Sequence, residues 1–343
     1  MKSQINEKCS QKNWSYFRKC PITGQISSEK DLSFNCCPFS DKNKKKKKSI
    51  VVSANKNMSS RIANLSKTII RPPKAIYKES ELMEEVNDEN SDAVSKREPF
   101  EIPNVNGQKI QGSIYRAINP IEGNPIVIYS HGNAGNQIEF VTFSILYSFP
   151  FHGISICGFD FSGCGNSKEP YITMGDREPS DLNRVIDHMK SLGFGRICLY
   201  GRSMGGTTST IVMSERNDIV CGVLDSPYAT LKRFIFPHIN SDEGTYQEVR
   251  AYIKETVNYD IDEVNAVDKA HKITAPLLVF AGINDKTVNP KDGEEICEKS
   301  SSQKKEFISF KGNHNTFRPS DIMLKLVDFI CGNLGIETFS NQI

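Results

Sequence analysis

The sequence contains no run of the ~18 apolar residues that a membrane-spanning helix needs. None of its 10 cysteines falls in a Cys-x-x-Cys pair, which removes the common zinc-ribbon and dithiol redox frameworks. A surplus of one charge is also missing. The 43 basic and 41 acidic residues leave a net +2, so the overall balance gives no drive toward nucleic acid. Residues 1–30 hold no continuous apolar stretch, and no secretory signal peptide is expected there. Lys2 stands where N-myristoylation requires glycine. Apolar residues make up only 38%, a share that implies that part of the chain is not packed.

Residues 1–95 fit that unpacked share. They are rich in Lys, Ser, Asn and Glu without a sustained apolar period, and are expected to form a polar, largely disordered extension. Five lysines, Lys44 to Lys48, follow soon after Cys36 and Cys37. Acylated cysteines beside such a run would give peripheral contact with an anionic membrane surface; a solvated tail or an import-type sequence is the plainer reading. Cys157, Cys198 and Cys221 lie in apolar runs and read as small buried hydrophobes, which fits a reducing, cytoplasmic compartment.

From residue 96 to residue 336 the texture is that of one folded domain, with a short tail at 337–343. An alternating segment is broken by Asn106-Gly107, a hairpin signal. Short apolar runs then begin at Ile126, Gly153, Arg196, Ile219, Ala275 and Lys304, each bounded by glycine-rich or polar turns. Between them, residues 138–149, 178–192, 204–214 and 319–334 read as helices. Apolar strands alternating with amphipathic helices predict an α/β fold with a mostly parallel central sheet covered on both faces.

Reactive groups gather at strand ends in such sheets. Ser203 sits in Gly201-Arg202-Ser203-Met204-Gly205, between a strand and a helix. The two glycines permit a close, strained turn, and the backbone N–H of Met204 would face charge developing at the helix start. A serine hydroxyl needs a base, and the base an orienting group. His314, in "FKGNHNTF" past the last apolar strand, is the candidate base. The carboxylate is Asp285 or Asp225, each at a strand end; Asp285 gives the chain order Ser, Asp, His. "HGNAGN", His131 to Asn136, follows a central strand, so Asn133 or Ala134 would add a second oxyanion donor.

HGNAGN, the turn from Asp160 to Gly165, GRSMG, GINDKTV and GNHN follow one another in an order that resembles the α/β-hydrolase superfamily, over about residues 100–334. The chain is most similar to the serine aminopeptidase/hydrolase-type branch that includes α/β-hydrolase-domain depalmitoylases. The resemblance implies Ser203 as nucleophile, Asp285 as acid and His314 as base, acting without cofactor or metal. Carboxylic esters or thioesters, as small acyl substrates, are the expected partners, and nucleic acid is not. A peptidase or amidase of the same fold, or a non-catalytic binding relative, are the alternatives. The depalmitoylase-like members carry a compact N-terminal cysteine cluster, whereas Cys9, Cys20, Cys36 and Cys37 are dispersed here. Residues 228–262, with Phe234, Ile235, Phe236, Tyr246, Tyr252, Ile253 and Tyr259, would either form a small helical cap lining the site or pack onto the domain.

Overall fold

The computed structural model describes residues 54–88, 91–142 and 144–336. The N-terminal cysteines, Lys44 to Lys48 and the tail at 337–343 lie outside the described residues. The strands are β1 (Glu85–Asn87), β2 (Val94–Pro103), β3 (Lys109–Tyr115), β4 (Pro125–Ser130), β5 (Ser155–Phe159), β6 (Arg196–Arg202), β7 (Ile219–Asp225), β8 (Leu277–Gly282) and β9 (Lys305–Phe310). They form one sheet in the order β1-β2-β3-β5-β4-β6-β7-β8-β9. β1, β2 and β3 pair antiparallel, and β3 pairs antiparallel with β5. From β5 onward every neighbouring pair is parallel.

The parallel strands read as unbroken apolar runs because both of their faces are buried. Ile126, Ile128, Leu199, Leu224 and Val279 enter one core, with α2 (Glu178–Ser191), α3 (Met204–Glu215) and α7 (Pro290–Lys299). Their alternates Val127, Tyr129, Tyr200, Val223 and Phe280 enter the other, against α8 (Ser320–Leu334). Each such fully buried side chain contributes about 1.5–3 kcal/mol relative to exposure. Cys157, Cys198 and Cys221 are buried as expected, and the buried cysteines among the described residues are free thiols. The helix expected at 138–149 is instead two 3₁₀ segments, Gln137–Thr142 and Ser144–His152; Pro150 within the second removes a backbone donor.

Part of the segment expected to be disordered is folded. Residues 54–70 form α1 (Ala54–Ile70), and 85–87 add the edge strand β1. Ile62, Leu65 and Ile69 recur at i, i+3 and i+7 and seat α1 on the main core, where it packs along α5 (Glu243–Val257). The helix was hidden by its polar remainder. No helix among the described residues is long and apolar enough to cross a membrane.

Between β7 and β8 the chain makes an excursion carrying α4 (Leu231–Ile235), α5 and α6 (Ala266–Lys269). A backbone bridge between Thr230 and Asn265 closes its base. Phe234, Ile235, Tyr246, Ile253 and Tyr259 are buried in the main core, so this set packs onto the domain; Phe236 and Tyr252 are only partly covered.

Candidate active site

β4 and β6 are adjacent, but the chain moves from β4 to β5 on one side and from β6 to β7 on the other. A crevice opens beyond the carboxyl ends of strands where the order reverses in this way. The HGNAGN loop leaves β4 there, and Ser203 stands at the end of β6.

Ser203 has φ 52° and ψ −115°, a strained conformation for a residue with a side chain. Its N–H donates to the carbonyl of Asp225 at 2.8 Å. The turn closes only because Gly201 and Gly205 lack Cβ atoms: one on Gly201 would collide with the carbonyl of Gly205, and one on Gly205 with that of Ser130. α3 begins at Met204, whose N–H has no intrahelical acceptor and lies at the positive end of the helix dipole.

β8 and β9 deliver the other two side chains. Their loops are stitched together by hydrogen bonds from Ile283 N–H to Phe310 and from Asn284 N–H to Gly312, each 2.9 Å. The Asp285 carboxylate is oriented by its own turn, one oxygen accepting from the N–H groups of Thr287 and Val288 at 2.8 and 2.9 Å. The other oxygen accepts from His314 Nδ1 at 2.6 Å. A carboxylate only accepts, so the imidazole proton sits on Nδ1, and Nε2 faces the Ser203 hydroxyl at 3.0 Å. Ser203, Asp285 and His314 are 5%, 8% and 6% exposed, so the array is screened from bulk water yet reachable. Asp225, the other carboxylate at a strand end, does not reach the imidazole. It pairs with the guanidinium of Arg318 at 2.6 and 2.8 Å.

The HGNAGN loop is held from several sides. His131 is buried, its Nδ1 donating to the Gly132 carbonyl and its Nε2 accepting from Phe161 N–H. Gly132 N–H is taken by Glu139 at 2.7 Å, and Gly135 N–H by the Gly132 carbonyl at 3.0 Å. Those two donors being occupied, Asn133 and Ala134 are left as the candidates between them; Ala134 adopts φ 58°. The loop passes close to Ser203, since a Cβ built on Gly132 would stand 3.7 Å from that of Ser203. Behind it, Asp160 accepts from Gln137 N–H at 2.7 Å and from the Tyr77 hydroxyl at 2.8 Å, while burial pushes its carboxyl upward.

Arg202, Glu139 and Arg318 were not singled out by the sequence, yet all touch this site. Arg202 and Glu139 form an ion pair largely shielded from solvent. Their only sequence signals are Arg202's place inside G-x-S-x-G and Arg318's place four residues after His314. No group of three or more His, Cys, Asp and Glu side chains suited to a metal ion occurs among the described residues.

Comparison with known proteins adds lineage to this geometry. The model of the prolyl oligopeptidase family matches residues 155–326. The α/β hydrolase domain-containing protein aho-3 of Caenorhabditis elegans is 27% identical over 180 residues, covering 50% of this chain and 47% of that one. The α/β hydrolase domain-containing protein 17C of Xenopus tropicalis is 26% identical over 182 residues, covering 50% of each. The chain thus spans about half the length of these curated relatives. Among solved structures, the Pyrococcus furiosus esterase Pf2001 superposes with a TM-score of 0.57 at 22% identity, over 69% of this chain and 92% of the esterase. Est1E of Butyrivibrio proteoclasticus, with ferulic acid bound, gives 0.56 at 18% identity, over 68% and 99%. At these identities the structural likeness is one of fold. By the family match, which runs from β5 into α8, the chain belongs to the prolyl oligopeptidase family and, with it, to the α/β-hydrolase superfamily.

Proposed function

We propose that the chain is a serine hydrolase that cleaves carboxylic esters or thioesters through an acyl-enzyme. The observation that carries this reading is the convergence of Asp285, His314 and Ser203, with separations of 2.6 and 3.0 Å. Ser203 Oγ attacks the acyl carbon, and its proton passes to His314 Nε2. The negative oxygen that forms is met by the N–H of Met204 and by that of Asn133 or Ala134. Such donors act where charge develops, and loss of one typically costs roughly 10²–10³ in turnover. The bond from carbon to the leaving group then breaks, and His314 returns the proton to that group. Water repeats the sequence on the acyl-enzyme and frees the acid. Asp285 holds the imidazole in the tautomer this exchange requires and stabilises its protonated form.

Apolar side chains on the neighbouring loops favour an apolar acyl group. Ile283 lies two residues before Asp285, Phe317 three residues after His314, and both are well exposed, at 55% and 46%. Ile76, 75% exposed, follows Ala75, whose carbonyl accepts from Asn136 of the HGNAGN loop. A fluorophosphonate probe tests the nucleophile: labelling at Ser203 supports the reading, and undiminished ester hydrolysis by Ser203→Ala rejects it. A panel of p-nitrophenyl esters of graded length, acyl thioesters and aminoacyl amides tests the substrate class. Faster turnover of the amides would move the assignment to a peptidase.

A further inference from the structure

Beyond the triad, two buried arginines converge on one backbone atom. The carbonyl oxygen of His314 accepts from Arg202 at 3.3 Å and from Arg318 at 3.2 Å. The arginines come from separate places: Arg202 ends β6 directly before the nucleophile, whereas Arg318 lies beyond the base. Arg202 also donates to the side chain of Asn315 at 2.8 Å, and Arg318 to the carbonyl of Thr316. The base loop is therefore gripped at three consecutive residues.

Each guanidinium has its own carboxylate, and each carboxylate leads back to the reacting centre. Glu139 pairs with Arg202 through one oxygen and accepts Gly132 N–H through the other at 2.7 Å. It thereby ties the base loop and the nucleophile turn to the candidate oxyanion loop. Asp225 holds Arg318 with both oxygens, its side chain and that of the arginine 0% and 3% exposed. Its main-chain carbonyl accepts the N–H of Ser203. One closed circuit runs from Ser203 through Asp225 and Arg318 to His314 and back to the Ser203 hydroxyl, and an open chain leads from Ser203 through Arg202 and Glu139 to Gly132.

We infer that Arg202 and Arg318, each set by its carboxylate, are positioning residues that hold the imidazole of His314 in register with the Ser203 hydroxyl and the oxyanion loop. The inference rests on the hydrolase reading above. The fork shape of the guanidinium is what the site uses, since each arginine serves a carboxylate and the base loop together. A lysine ammonium keeps the charge but cannot span both. Neither arginine contacts the reacting atoms, so the cost of losing either falls on turnover through misplacement. A displacement of about 1 Å can cost roughly 10² in rate.

The test uses the full chain carrying Arg202→Lys or Arg318→Lys, with Ser203→Ala in parallel. End-point titration with a fluorophosphonate counts intact sites, and initial rates on p-nitrophenyl butyrate give kcat per titrated site and KM. The expected result is a kcat per site lowered by roughly 10-fold to 10²-fold with KM changed by less than about two-fold. Merely structural arginines would reduce the number of titrated sites and leave kcat per site at the wild-type value, and that result overturns the inference. Should a lysine variant fail to accumulate folded, Glu139→Gln stands in for Arg202→Lys and Asp225→Asn for Arg318→Lys, because each amide keeps one oxygen for a partner. Lower kcat at unchanged KM there supports the clamp, and wild-type kcat removes it. Failure of the hydrolase reading shows separately, as hydrolysis retained by Ser203→Ala.

Discussion

Ser203 holds a positive φ that costs free energy, and three contacts keep it there: its N–H on Asp225, the bare Cα of Gly201, and Gly205 pressed on Ser130. Ser203→Ala should lower ester turnover by about 10⁶-fold, the scale seen when a serine nucleophile is removed. Asp285→Asn should cost about 10⁴-fold, because the amide favours the wrong imidazole tautomer. Both are measured as kcat/KM on a short-chain ester. Gly205→Ala should fail differently, since its Cβ meets a main-chain carbonyl that cannot move aside. Overpacking of about 1–3 kcal/mol should appear as a lowered urea midpoint. The meeting of Ser203 and His314 was expected from their local settings at strand ends. The choice between Asp285 and Asp225 was harder to read, because both carboxylates end strands and only the stitching of the β8 and β9 loops aims one at the imidazole. Arg202, Glu139 and Arg318 were not legible, since the side chains they pair with, Glu139 with Arg202, Asn315 with Arg202 and Asp225 with Arg318, lie 63 to 113 residues apart in the chain.

Among the elements, the segment between α1 and β1 changes the picture most. Lys74 donates to the carbonyls of Ser167 and Glu169, Ala75 accepts from Asn136, and Tyr77 donates to Asp160. This strap thus braces the far end of the HGNAGN loop. Tyr77→Phe deprives the buried Asp160 of a donor and should cost about 1–3 kcal/mol. Amide hydrogen exchange should show the loss concentrated at Gln137 and Asn166, whose N–H groups share that carboxylate. The strands of the sheet were easy to read because burial on both faces leaves their sequences almost wholly apolar. α1 and the strap were not, because α1 places Ile62, Leu65, Ile69 and Ile70 among many Asn, Ser and Lys residues, and the strap is held by hydrogen bonds that have no sequence period.

For the whole molecule, pH acts on stability through a buried carboxyl. Burial pushes Asp181 up to about 7, against the hydrogen bond it accepts from Ser162 N–H. An unfolded aspartate titrates near 3.9. Between about pH 4 and 7 the folded chain therefore keeps a proton that the unfolded chain releases, and this group's contribution to stability declines as pH rises. Asp181→Asn should remove that slope. Its urea midpoint should lie near wild type at about pH 4 and above it at about pH 8; parallel curves would show that Asp181 is not the source.

The bridge between Thr230 and Asn265 brings the two ends of the excursion together on the scaffold, so what lies between them is architecturally a cassette. Lengthening or swapping such a closed loop costs little in chain entropy, about 0.6 kcal/mol for each doubling. Its neighbour α1 spoils the modularity: Ile62 and Ile69 rest in the same core as Tyr246, Val249 and Ile253. A graft of residues 231–264 from a relative should therefore succeed only when the matching first helix travels with it, making the two segments a single unit of inheritance despite being about 160 residues apart.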